Sequence, residues 1–158
     1  MNSGNSIRGV LSPVVTPFTD ALEPDAERLA QHCRWLLDSN VGLAVFGTNS
    51  EANSLSMNEK RRLLDHLIDA GLPADKMMPG TGSCALSDAV ELTQAAIAHG
   101  CAGVLMLPPF YYKGVSDDGL YRFYSELIQK VGDSKLRVYL YHIPQVSNVP
   151  ITLSLIHI

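Results

Sequence analysis

The stretch Gly103-Val104-Leu105-Met106-Leu107-Pro108-Pro109-Phe110-Tyr111-Tyr112-Lys113-Gly114 decides the fold. Its first five residues are continuously apolar, as in a strand covered on both faces, and Pro108-Pro109 stops it because proline cannot donate to a ladder. Phe110 to Gly114 then form a loop at the strand's C-terminal end. Beyond it a helix is expected from about Asp118, with Leu120, Phe123, Tyr124, Leu127 and Ile128 on one face, followed by a strand Arg137-Val138-Tyr139-Leu140-Tyr141. Upstream, Ala89, Val90, Thr93, Ala96 and Ile97 mark a helix that Ser87 can cap and Gly100 ends.

The same alternation runs back to the N-terminus. Met77-Met78-Pro79 reads as a strand, with Gly80-Thr81-Gly82 as the turn after it. Ser56 and Glu59 form a capping box ahead of a helix carrying Leu63, Leu64, Leu67 and Ile68, closed by Gly71 and Pro73. Gly42 to Phe46 is a strand. Pro24 and Asp25 open a helix striped by Leu29, Cys33, Leu36 and Leu37 that ends at Ser39-Asn40, and Gly9 to Val15 is the first strand. Five strands and four helices result, with strand centres repeating about every 32 residues, the form of successive βα units on a parallel sheet. Two architectures accept this: a small doubly wound sheet, complete at this length, or a parallel (β/α)8 TIM barrel, which typically needs about 250 residues. On the barrel reading, residues 1–152 are the N-terminal five-eighths of one domain, truncated after about five strands.

Composition narrows the function. The 158 residues are 46% apolar and 18% charged, enough for one sizeable core, and a net charge of -4 gives no footprint for nucleic acid. Cys33, Cys84 and Cys101 are an odd set without ligand spacing, so neither a disulfide framework nor a metal site is expected. Residues 1–8 are polar and no run approaches 18 apolar residues, which favours a cytoplasmic protein without membrane contact.

Ligands of parallel α/β folds sit at the C-terminal ends of the strands. The first such turn, Ser12 to Phe18, contains no glycine, so no dinucleotide fingerprint exists, and no phosphate loop of the Walker type occurs. Gly80-Thr81-Gly82 reads as a place where backbones approach closely. Gly47-Thr48-Asn49-Ser50-Glu51 offers small hydroxyls and amides that could hold a carboxylate, or is simply a strand-to-helix connection. Tyr141 shares a face with Tyr139 and is either a proton-passing phenol or core. Tyr111 and Tyr112 suit an exposed position or an interface. His32, His66 and His99 read as structural or surface, whereas His142 could line a pocket.

Taken together, Gly9-Val-Leu-Ser-Pro-Val-Val-Thr-Pro-Phe18, Gly47 to Glu51, Gly80-Thr81-Gly82, Pro109 to Tyr112 and Tyr141-His142-Ile143-Pro144 resemble the dihydrodipicolinate synthase / N-acetylneuraminate lyase family. The resemblance covers about residues 7–152. It implies a TIM barrel, usually a homotetramer, whose members are class I aldolases, lyases or synthases acting on pyruvate or another 2-oxo acid and an aldehyde, without a separate cofactor. A lysine amine forms an imine with the ketone, and the protonated imine is the electron sink. Thr48 resembles the hydroxyl that binds the substrate carboxylate and joins the proton relay. Asn49 occupies the adjacent carboxylate-binding position, where the family commonly has threonine. Tyr141 resembles the tyrosine that moves protons to and from the imine. Tyr111 resembles the tyrosine lent by a neighbouring subunit, with Tyr112 as the alternative.

There are departures from the family pattern. Ser50 stands where glycine is usual, and Val146 stands where the synthase subgroup has an arginine that grips its aldehyde, so a lyase or another acceptor is expected. The family's imine lysine, in a Gly-x-Lys context, is absent among Lys60, Lys76, Lys113, Lys130 and Lys135, so the chain alone is expected to be inactive. Residues 153–158 resemble a translated sequencing-library adapter and are expected to be a non-native tail, or else the start of a helix capped by Thr152. The alternative function is a complete flavodoxin-like binding module without catalysis.

Overall fold

A computed structural model describes residues 7–157. Four short strands are present, β1 (Leu11–Pro13), β2 (Gly42–Ala44), β3 (Val104–Met106) and β4 (Val138–Leu140). β1 pairs parallel to β2, and β3 pairs parallel to β4. Residues 77–81 join the two pairs, because Leu43 bridges Met77 and Gly80 bridges Leu105, both in parallel. The Met78 N–H donates to Leu43 at 2.8 Å, Gly80 to Val45 at 2.7 Å and Thr81 to Leu105 at 3.0 Å. Gly80 and Thr81 are therefore part of the ladder rather than a turn. Here the glycines allow contact: a Cβ on Gly80 would lie 2.1 Å from the Phe46 oxygen, and one on Gly82 2.6 Å from the Leu107 nitrogen.

The five extended segments thus lie side by side in chain order. A doubly wound sheet needs a point where the order reverses, and none occurs among the described residues. The helices follow the same order, α1 (Ala26–Asp38) against α2 (Met57–Asp69), α2 against α3 (Leu86–Ala98), and α3 against α4 (Asp117–Val131). Neighbour-to-neighbour helix packing over a sequentially ordered sheet is the arrangement of a barrel wall.

Local chemistry fixes the helix starts. Asp25 accepts the Arg28 N–H at 3.0 Å, and Ser56 with Glu59 makes the full capping box of α2. Ser116 caps α4 through the Gly119 N–H at 3.2 Å. α3 departs from expectation: it begins at Leu86 after Ala85, so Ser87 lies inside the first turn and makes no cap. The helix ends turn back at Asn40, Gly71, Gly100 and Gly132, all with positive φ.

One apolar cluster joins sheet and helices, with Leu29, Leu43, Leu67, Met77, Met106 and Leu127 among its fully buried members. Val104 and Met106 are buried in it, while Leu105, which pairs with Tyr139 in register, is only half-buried on the other face. Cys33 and Cys101 are free thiols that burial pushes up to about 12, so they pack as small apolar groups. The expected structural histidines join neighbouring helices: His66 lies 3.3 Å from Glu27, and His99 lies 2.7 Å from Asp65.

After β4 come a short helix α5 (Pro144–Ser147) and α6 (Leu153–His157). Thr152 accepts the Leu155 N–H at 3.3 Å and donates to Asp117 at 2.8 Å, and Leu155 is buried. No helix of the described residues is long and apolar enough to cross a membrane.

Candidate functional site

The C-terminal ends of the strands gather the residues singled out above. After β2 the chain turns sharply, because Phe46 and Glu51 both adopt left-handed backbone with φ of 58° and 54°. For non-glycine residues such conformations cost about 1–3 kcal/mol each and persist only where surroundings enforce them. The enforcing contacts are visible. The buried Thr16 hydroxyl donates to the Ser50 carbonyl at 2.7 Å, and the Thr16 N–H donates to the Glu51 carboxylate at 3.0 Å. Within the turn the Ser50 N–H donates to the Gly47 carbonyl at 3.0 Å. The loop after β1 thus anchors the loop after β2. Ser50 is 1% exposed and has no positive φ, so this backbone needs no glycine there.

Thr48 and Asn49 lie in this anchored turn, Thr48–Ser50, just beyond the strained Phe46. The Thr48 Oγ1 is buried and makes no hydrogen bond. A buried hydroxyl without a partner forgoes about 1–3 kcal/mol of solvation, and such an atom calls for an explanation. Asn49 is exposed beside it.

Three segments further along the sheet, Tyr141 follows β4. Its N–H donates to the Met106 carbonyl at 2.8 Å, which continues the ladder and fixes the backbone beneath the ring. Val138 and Leu140 pack against the core, so alternation puts Tyr139 and Tyr141 on the opposite face with Leu105. Tyr141 is half-buried. Because Thr48 Oγ1 has no partner, the relay contact from Thr48 to a tyrosine is not made in this structure.

Tyr111 and Tyr112 stand on the loop after β3, 72% and 68% exposed, in edge-on contact at 5.2 Å. Both rings face solvent, the exposed position that the loop after Pro109 suggested. His142 is exposed, and its Nδ1 accepts the Ile151 N–H at 3.0 Å, which braces the loop after β4. Val146 is 54% exposed on α5 and brings no charge to the mouth. Ser147, 1% exposed, was missed as an organiser of that loop, and so were Thr16 and Glu51. Their partners lie too far away in sequence for local patterning to reveal them. Among the described residues no group of three or more His, Cys, Asp or Glu could hold a metal ion.

The strand ends thus carry a buried hydroxyl without a partner on an anchored turn and, further along the sheet, a half-buried tyrosine. The family model described as the dihydrodipicolinate synthetase family matches residues 6–157. A curated relative from Chloroflexus aurantiacus, an uncharacterized DapA-like lyase, is 38% identical over 94% of this chain and 50% of its own length. Among solved structures, dihydrodipicolinate synthase from Agrobacterium tumefaciens superposes with a TM-score of 0.91 at 29% identity, over 94% of this chain and 52% of that one. YagE, an E. coli K12 prophage protein of the dihydrodipicolinic acid synthase family in complex with pyruvate, superposes with a TM-score of 0.80 at 29% identity, over 94% and 49%. The chain spans about half the length of the curated relatives it matches.

Proposed function

Because the chain belongs to the dihydrodipicolinate synthetase family, we propose that it carries the carboxylate site and a proton-transfer tyrosine of a lyase, aldolase or synthase acting on pyruvate or another 2-oxo acid through a lysine imine. The observation that supports this best is the buried, unpartnered Thr48 hydroxyl on an anchored turn. A substrate carboxylate supplies the acceptor that this group lacks, and an ionised partner makes the stronger kind of hydrogen bond. Asn49, exposed at the next position, offers an amide N–H to the same carboxylate.

The chemistry runs in two stages. A lysine amine adds to the ketone carbon, water leaves, and the protonated imine nitrogen draws in the electron pair of the carbon–carbon bond being broken or made. Tyr141 gives and takes the protons. Tyr111, from a neighbouring subunit of a tetramer, connects it to solvent. The imine lysine of the family sits in a Gly-x-Lys context that none of Lys60, Lys76, Lys113, Lys130 and Lys135 has, so on this reading the amine is not among these 158 residues and they form no imine alone. Val146 offers no guanidinium to an acidic aldehyde, which favours a lyase or an acceptor other than that of the synthases.

Borohydride reduction of the full-length protein with pyruvate tests this. The expected product is a covalent pyruvate adduct by mass spectrometry, needing about tenfold more pyruvate in Thr48→Val, the equivalent of about 1.4 kcal/mol. Failure of the full-length protein to trap pyruvate or any other 2-oxo acid overturns the proposal.

A further inference from the structure

We propose that Lys113 is a positioning residue, a clamp that braces the loop carrying Tyr111, which completes the relay of a neighbouring subunit, against the loop that follows Tyr141 of its own subunit; the inference rests on the imine reading above. Its Nζ donates to the Phe110 carbonyl in its own loop and, at 3.2 Å, to the Ser147 carbonyl in the loop after β4. Ser147 closes α5, a single turn whose last carbonyls lack intrahelical partners. The receiving carbonyl is itself well held. The Ser147 hydroxyl lies 3.1 Å from the Ile143 carbonyl and accepts the Val149 N–H at 3.2 Å.

Within its own chain the loop being clamped has little else among the described residues to fix it. Tyr111 and Tyr112 are both largely exposed and touch each other. Gly114, at a φ of 66°, follows at once and lets the chain turn freely. The ammonium therefore ties residues 110–113 to a rigid neighbour 34 residues away. Proton transfer needs heavy atoms within about 2.6–3.2 Å, and a displacement of about 1 Å can cost on the order of a hundredfold in rate. The carboxylate turn at Thr48 is anchored separately, through Thr16. Losing the clamp is thus expected to lower kcat while leaving KM for pyruvate nearly unchanged.

The test compares Lys113→Met, which keeps the stem and removes the donors, with Lys113→Arg in the full-length protein. Lys113→Met is expected to trap pyruvate with borohydride as the unaltered protein does, to lose about ten- to a hundredfold in kcat, and to exchange amide hydrogens faster in residues 110–114 and 144–149 together. Lys113→Arg is expected to restore both rate and protection. An unchanged kcat, or faster exchange confined to residues 110–114, overturns the clamp while leaving the imine reading intact. If the unaltered protein traps no 2-oxo acid, the imine reading fails and the relay role of the clamp fails with it.

Discussion

Thr48 shows how a residue can be poorly placed for stability and well placed for binding. Its hydroxyl is out of water and unpaired, so in the free protein it costs stability that a methyl in its place would not. Thr48→Val is therefore expected to raise the melting temperature by about 2–4 °C, the equivalent of roughly 1 kcal/mol for a domain of this size, while weakening pyruvate binding. Calorimetry on the same preparations reads both. A variant that loses binding and stability together would mean that the hydroxyl has a structural partner instead. Lys60 is the complementary case, a cation buried on α2 with no binding role assigned to it. Burial lowers its pKa below the usual lysine value of 10.5, and Asp88 on α3 partly offsets this. Below the folded pKa both states hold the proton and the full cost of burial is present. Between the folded pKa and 10.5 the native state gives up its proton first, so stability rises with pH. Urea melts between pH 7 and 10 are expected to show this climb, and Lys60→Met is expected to be more stable at pH 7 with the climb flattened. A parallel climb in the variant would assign it to other groups.

At the level of elements, what could be read in advance follows from range along the chain. The Ser56–Glu59 box and the Asp25 cap act over three residues, so their residue types and spacing announce them. The apolar stripes of α1, α2 and α4 were legible for the same reason. The bonds that shape the site act at another range. Thr16 to Glu51 spans 35 residues, Thr16 to Ser50 spans 34, and Lys113 to Ser147 spans 34. Each joins one βα unit to the next, so its existence depends on the folded arc and not on local pattern. The third extended segment was hard to bound because glycines that resemble a turn serve there as flat faces, Gly80 against the backbone of Phe46 and Gly82 against that of Leu107. Ser87 misled because a good capping residue does not cap when the helix begins before it. Thr48, Tyr141 and Tyr111 were legible as residues at loop positions, but the unpaired state of the Thr48 hydroxyl was not.

For the whole molecule, the sheet order leaves β1 and β4 each with a neighbour on one side among the described residues. Beside β4 a groove of about 630 Å³ is lined by Tyr124, Tyr139, Leu140 and Leu155. Unpaired strand edges next to apolar surface invite association. The 158-residue chain expressed by itself is expected to elute as dimers or larger species in light-scattering chromatography, and a concentration-independent monomer with a cooperative melt would contradict that. The contact between Gly80 and Phe46 reaches further than packing. Since a Cβ there would collide with the Phe46 oxygen, Gly80→Ala must shift the backbone two residues before Thr48, and a catalytic defect should arise from a substitution that touches no substrate. In the language of genetics, position 80 is a site for second-site suppression. Revertants selected on Gly80→Ala should fall in residues 46–51, where the backbone has to move to make room for the new methyl. Revertants scattered over the helices would mean that the two segments are not coupled in this way.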